Sequence, residues 1–219
     1  MLEQTTAPTA PYVAHHFDDA EQQHDASALG MWFFLAQEVM FFGGLFTAYV
    51  VYRHLFPVAF HAGSHELDIG LGAFNTLVLL TSSLTMALSV HAAQVSKRGM
   101  LLVNLVLTLI LGFVFLGVKV VEYAAKFEHH LVPGPHFQFH GADPTNAQLF
   151  FSLYFAMTGL HALHMIIGAG LLLVLIVRGY QGMFNRYYYT PVEMVGLYWH
   201  FVDLIWIFLF PLLYLLGRH

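Results

Sequence analysis

The chain has 219 residues, 58% of them hydrophobic and 10% charged, with a formal net charge of −5. That balance excludes an ordinary soluble domain and describes a membrane protein, and the acidic excess argues against a nucleic-acid partner. Because cysteine is absent, the chain can supply no disulfide, thiolate metal site or cysteine nucleophile.

Residues 1 to about 27 are polar, with Pro and Ala, and Met1-Leu2-Glu3-Gln4 offers neither positive charge nor an apolar stretch. They read as a surface tail rather than a secretory signal. His15, His16, Asp18, Asp19, Glu21, His24 and Asp25 gather in it. Residues 28–219 read as one transmembrane domain, with apolar segments at roughly 28–55, 69–94, 100–125, 147–178 and 191–216. Each is long enough to cross a bilayer, and none has the polar alternation of a barrel strand. The predicted fold is an all-α integral membrane bundle of five transmembrane helices.

The first segment carries one interior carboxylate, Glu38. In a helix starting near Ala28 it lies about 15 Å along the axis, close to the middle of a hydrocarbon core about 30 Å thick. An ionisable group at that depth must be neutralised, paired or hydrated, which marks Glu38 as a candidate functional residue. It is expected to be protonated, or hydrogen-bonded to a neighbour such as His164 or His200.

Pro57, Gly63, Ser64 and Asp68 lie in the first connection, breakers that end one helix and cap the next. In the second segment Asn75, Thr81, Ser82, Thr85 and Ser89 fall within about a third of the helix circumference at 100° per residue, which suits contact between helices. The third segment ends in Lys119-Val120-Val121-Glu122-Tyr123. Here Lys119 and Glu122, three apart, are expected to form an ion pair at the membrane edge, with Tyr123 in the interfacial aromatic belt.

A long His-rich connection, about 126–146, leads to Asp143-Pro144, predicted as N-cap and first helical residue, and Thr190-Pro191 repeats the signal before the last segment. The fourth segment holds His161 and His164 near Tyr154, Thr158 and Gly168. Two His at i, i+3 are more often structural than metal-ligating, although Glu38, Glu193 and Asp203 leave a His/carboxylate set open. The fifth places Glu193, Gly196, His200 and Asp203 at spacings of three, four and three, a polar stripe expected to face inward against His161 and His164. Lys97, Arg98, Arg178 and Arg186 lie in connections on the N-terminal side, against Arg53, Lys126 and Arg218 opposite, a small positive-inside bias toward a cytoplasmic N-terminus.

Four strings then coincide: Trp32-Phe33-Phe34-Leu35-Ala36-Gln37-Glu38-Val39-Met40-Phe41-Phe42; Lys119-Val120-Val121-Glu122-Tyr123; Thr158-Gly159-Leu160-His161-Ala162-Leu163-His164; and Tyr198-Trp199-His200-Phe201-Val202-Asp203. In order and over roughly 28–217, they resemble subunit III of the haem–copper respiratory oxidases, in its shorter bacterial five-helix form. The resemblance implies a non-catalytic subunit of a proton-pumping terminal oxidase that reduces oxygen to water. Haem and copper are then expected in partner subunits and none in this chain, with catalytic subunit I, other oxidase subunits and membrane lipids as partners.

It also implies bound phospholipid, a buried carboxylate at Glu38, a lipid-phosphate arginine at Arg178, and a multi-pass place in the bacterial inner membrane with the N-terminus cytoplasmic and the C-terminus periplasmic. The Glu38 carboxylate and the Lys-x-x-Glu-Tyr string incline the reading to cytochrome c oxidase, with quinol oxidase as the alternative. More distant alternatives are a stand-alone proton or ion carrier on Glu38, Glu193 and Asp203, tested by transport in liposomes, and a membrane metal enzyme on His161 and His164, tested by metal analysis.

Overall fold

A computed structural model of the protein describes residues 13–216. Six helices follow one another: α1 (Ala20–Leu55), α2 (Pro57–His65), α3 (Ile69–Gln94), α4 (Arg98–Glu128), α5 (Pro144–Tyr180) and α6 (Thr190–Phe210), with a π-helical turn at Pro211–Leu215. Five of them, all but α2, are long and apolar enough to span a membrane.

α1 begins eight residues before the apolar run, where the Asp19 carboxylate accepts from the Gln22 amide and Glu21 complements the helix dipole. The first connection is itself partly helical. Pro57 starts α2 because it lacks the N–H that the first turn would leave unpaired, and Phe56 between the two helices still donates to the Tyr52 carbonyl. Asp143 caps α5 as its sequence predicts, accepting from the Asn146 amide, with Pro144 leading the helix.

At Thr190 the expectation fails. Thr190 is the first helical residue of α6, the cap is Tyr189, and its carbonyl takes the Val192 and Glu193 amides without a side-chain cap. At the other end Pro211 interrupts the α-helical ladder and the Leu216 amide reaches back to the Pro211 carbonyl, producing the wide turn. Arg53 of α1 donates to the Leu216 carbonyl and ties off that end.

α6 packs against α3, α5 and α1, and between α1 and α3 one of its faces is left exposed. α3 packs on α4 and α6, α5 on α4, α6 and α2, and α1 on α6, α5 and α2. α1 is the least enclosed span and α6 the most. The core is aromatic: Trp199, Trp206, Tyr49, Tyr154, Tyr214, Phe115, Phe150 and Phe151 are among the largest fully buried side chains.

Trp199 is fitted between helices by two glycines. A Cβ at Gly112 would stand 2.9 Å from its Cη2 and one at Gly168 2.9 Å from its Cζ3, so only hydrogen leaves room for the indole. Its Nε1 donates to the Ser82 hydroxyl at 2.7 Å. Thr85 meets Thr108 of α4 at 2.7 Å, and Asn75 reaches the Phe115 carbonyl at 3.5 Å. Three of the five polar groups predicted for the second segment thus join helices. Thr81 instead bonds back to its own helix at Leu77 and is exposed, and Ser89 does the same at Thr85.

Candidate functional site: two polar layers inside the bundle

The first layer lies at the depth of Glu38. Phe34, Glu38 and Phe42 of α1 face α5 and α6 at this depth, and Glu38 is only 8% exposed. His164 of α5 brings Nε2 to 3.3 Å from Glu38 Oε2. Its other nitrogen, Nδ1, lies 2.8 Å from the Leu160 carbonyl, which can only accept, so Nδ1 carries a hydrogen. The lone pair or proton at Nε2 therefore faces the carboxyl.

Aromatic rings wall this pair off. Phe42 meets the His164 ring edge-on with centroids 5.4 Å apart, Tyr198 lies nearly parallel to it at 6.4 Å, and the Tyr198 hydroxyl donates to the His164 carbonyl at 2.9 Å.

His161, one turn earlier, does not join them. It is buried between Phe115 of α4 and Trp206 of α6, with ring centroids 5.2 and 5.3 Å away, and among the described residues neither nitrogen has a hydrogen-bond partner. Among the described residues no three His or carboxylate side chains converge as a metal-holding group.

The stripe on α6 divides: Gly196 and Asp203 are buried as expected, but the helices it meets are α3 and α1 rather than the expected face of α5. Glu193 meets His24 of α1 at 3.2 Å near the tail side, in a partly exposed pair. Gly196 faces Val90 of α3, whose Cγ2 would stand 3.0 Å from a Cβ there. His200 Nδ1 lies 2.7 Å from Ser83 Oγ, also on α3. Asp203 is 2% exposed, beside Ser83, with no well-formed hydrogen bond to either oxygen. The stripe therefore faces α3 and, at its first member, α1. A helical wheel places residues on one face but leaves open which neighbour that face meets.

The second layer is buried in the protein interior. Lys119 and Glu122 of α4 are 3% and 4% exposed, 2.8 Å apart. Lys119 Nζ also donates to the hydroxyls of Tyr154 (α5) and Tyr214 (the π turn), both at 3.2 Å, which uses all three ammonium hydrogens. Those hydroxyls in turn donate to Glu122 Oε1, at 2.8 and 2.5 Å. Trp206 and Tyr123 stand about the ammonium at 5.2 and 5.3 Å.

Tyr123 faces α5, its hydroxyl 2.6 Å from Thr158 Oγ1. Lys126, one turn on, donates to the Glu66 carbonyl and fastens the connection after α2. Sequence reasoning missed Tyr214, because the π turn that swings it inward has no signal beyond Pro211.

Arg178 lies exposed near the end of α5, beside a shallow apolar groove formed with Leu173, Val174, Val177 and Gln181. It is remote from both polar layers along the helix.

Comparison with known proteins agrees with the strings around these layers. The family model described as cytochrome c oxidase subunit III matches residues 11–218. A cytochrome c oxidase subunit 3 of Synechocystis is 34% identical over 193 residues, 88% of this chain and 76% of that protein. Probable quinol oxidase subunits 3 of Staphylococcus haemolyticus and Staphylococcus epidermidis are each 28% identical, over 91% and 93% of this chain and 94% and 96% of their own.

Proposed function

Since the chain belongs to the cytochrome c oxidase subunit III family, we propose that it serves as the accessory subunit of a haem–copper terminal oxidase, without a catalytic centre of its own. In this reading it packs beside subunit I, where oxygen is reduced to water and protons are pumped. It sits in a bacterial cytoplasmic membrane with its N-terminus inside. Haem and copper belong to the partner subunits.

The observation that supports an accessory role is the enclosure of the polar groups. The Glu38–His164 pair is ringed by Phe42 and Tyr198, and the Lys119–Glu122 cluster satisfies its own hydrogen bonds. Such an interior gives a rigid body to support a neighbour. The tail residues His15, His16, Asp18, Asp19, Glu21, His24 and Asp25 lie on the side where this orientation places proton uptake, and His exchanges protons near neutral pH. Arg178 at the rim of its groove is positioned to hold a phospholipid phosphate with acyl chains on Leu173 and Val174.

Cytochrome c is the preferred electron donor, on the buried carboxylate and the Lys-x-x-Glu-Tyr string. A quinol oxidase is the second reading, favoured by the staphylococcal relatives, of whose length nearly all is matched. Copurification through a tag on this chain, followed by a haem spectrum and a donor assay, tests both. Haem with reduced cytochrome c as substrate supports the first, haem with quinol alone moves the assignment to the second, and no haem overturns the accessory role. Replacing the seven tail residues should slow proton uptake over many turnovers; an unchanged rate removes their part.

A further inference from the structure

The outward face of α6 lies between α1 and α3, both of which pack against it. At 100° per residue, Glu193, Leu197, His200, Leu204 and Ile207 follow one another along that face. His200 stands ten residues into α6, about 15 Å, and Ser83 eleven residues before the end of α3, about 17 Å, so the pair sits at the middle of the hydrocarbon layer.

The surroundings are open to the side. Leu80 of α3 and Leu204 of α6 flank the pair and are each 47% exposed, and His200 is half-buried. Ser83 occupies His200 Nδ1 at 2.7 Å, and among the described residues Nε2 has no hydrogen-bond partner. Whichever tautomer is present, Nε2 is a donor or an acceptor turned toward this face. Acyl chains can do neither, so lipid would leave an imidazole nitrogen unsatisfied where water is scarce. Asp203, one turn along and also beside Ser83, adds a second polar group without a well-formed hydrogen bond. The contrast with His164 is direct, since both nitrogens of that ring meet polar atoms inside the chain.

Resting on the oxidase reading above, we propose that this strip of α6, centred on His200, is the surface on which a transmembrane helix of another oxidase subunit packs. That helix presents a hydrogen-bonding side chain to His200 Nε2, and its apolar flanks cover Leu80 and Leu204. Polar side chains that bond across helices are a recurrent means of fixing register between spans.

The whole oxidase carries the test. p-Benzoylphenylalanine is placed at Leu204 or Leu80 of this chain, membranes are irradiated, and the complex is purified through a tag on this chain. A haem spectrum is recorded, and adducts are mapped by mass spectrometry. The expected result is haem in the preparation and a light-dependent adduct from both positions to a transmembrane segment of another oxidase subunit, lost when His200→Leu is introduced. Haem with adducts only to phospholipid or to a second copy of this chain overturns the surface. A preparation without haem overturns the oxidase reading, and the surface with it.

Discussion

His164 Nε2 stands 3.3 Å from Glu38 Oε2 while the other ring nitrogen is committed to the Leu160 carbonyl. Removing the carboxyl's acidity should therefore be separable from removing its shape. Glu38→Gln keeps an amide hydrogen to offer to Nε2, so packing and assembly should be retained. The expected functional result is a normal initial rate followed by faster loss of activity during turnover, read in a prolonged oxygen-consumption assay. Unaltered endurance would leave Glu38 a packing group. Glu38→Leu, by contrast, strands Nε2 and should lower stability by about 1–3 kcal/mol, seen as an earlier thermal transition.

The two glycines beside Trp199 make a second prediction. Gly168→Ala places a methyl group 2.9 Å from the indole, which is also held by Ser82, so neither side can yield freely. Overpacking of this kind costs about 1–3 kcal/mol. Trp199→Phe in the same chain should recover part of the loss by clearing the far ring, and a melting temperature measured for the single and double variants decides it. If Gly168→Ala melts with the parent, the fit around Trp199 is looser than the geometry states.

His24 and Glu193 supply a contrast. They meet at 3.2 Å, but both side chains are about one-third exposed, at 39% and 31%. Exposed pairs contribute about 0–1 kcal/mol, so His24→Ala should leave the melting temperature within a few degrees of the parent. A large drop would show that the pair anchors the start of α1 against α6.

These cases also indicate what was legible from the residues. Glu38 was identifiable because a carboxylate at mid-membrane depth demands a partner, and His164 was one of two named candidates for it. Asp143-Pro144 was identifiable because a cap and a proline act locally. The α6 stripe was only half legible: its spacing is helical, but the neighbour it faces follows from how Ser82, Ser83 and Val90 of α3 meet α6, which periodicity does not encode. The same holds for Lys119 and Glu122. Their pairing follows from the i, i+3 spacing, whereas their burial depends on Tyr154 and Tyr214, which come from elements 35 and 95 residues away in the chain. Thr190 misled because Tyr189 already bends the chain and supplies a backbone carbonyl to two amides, so no side-chain cap is required.

The Lys119 cluster gives the last prediction, because it closes on itself. With an ammonium, a carboxylate and two hydroxyls bonded to one another, removing one charge leaves the other buried at 3–4% exposure without compensation. Lys119→Met or Glu122→Leu alone should therefore cost about 3–5 kcal/mol, or prevent the chain from accumulating in the membrane. The double variant removes both charges and substitutes apolar volume, so it should recover much of that loss. Tyr214→Phe removes one hydroxyl but leaves Tyr154 to serve both charges, and its cost should fall nearer 1–3 kcal/mol. Thermal transitions of the four purified variants, arranged as a double-mutant cycle with the tyrosine variant beside it, measure the coupling. A double variant no more stable than the singles would mean that the ion pair positions α4 through something other than mutual neutralisation.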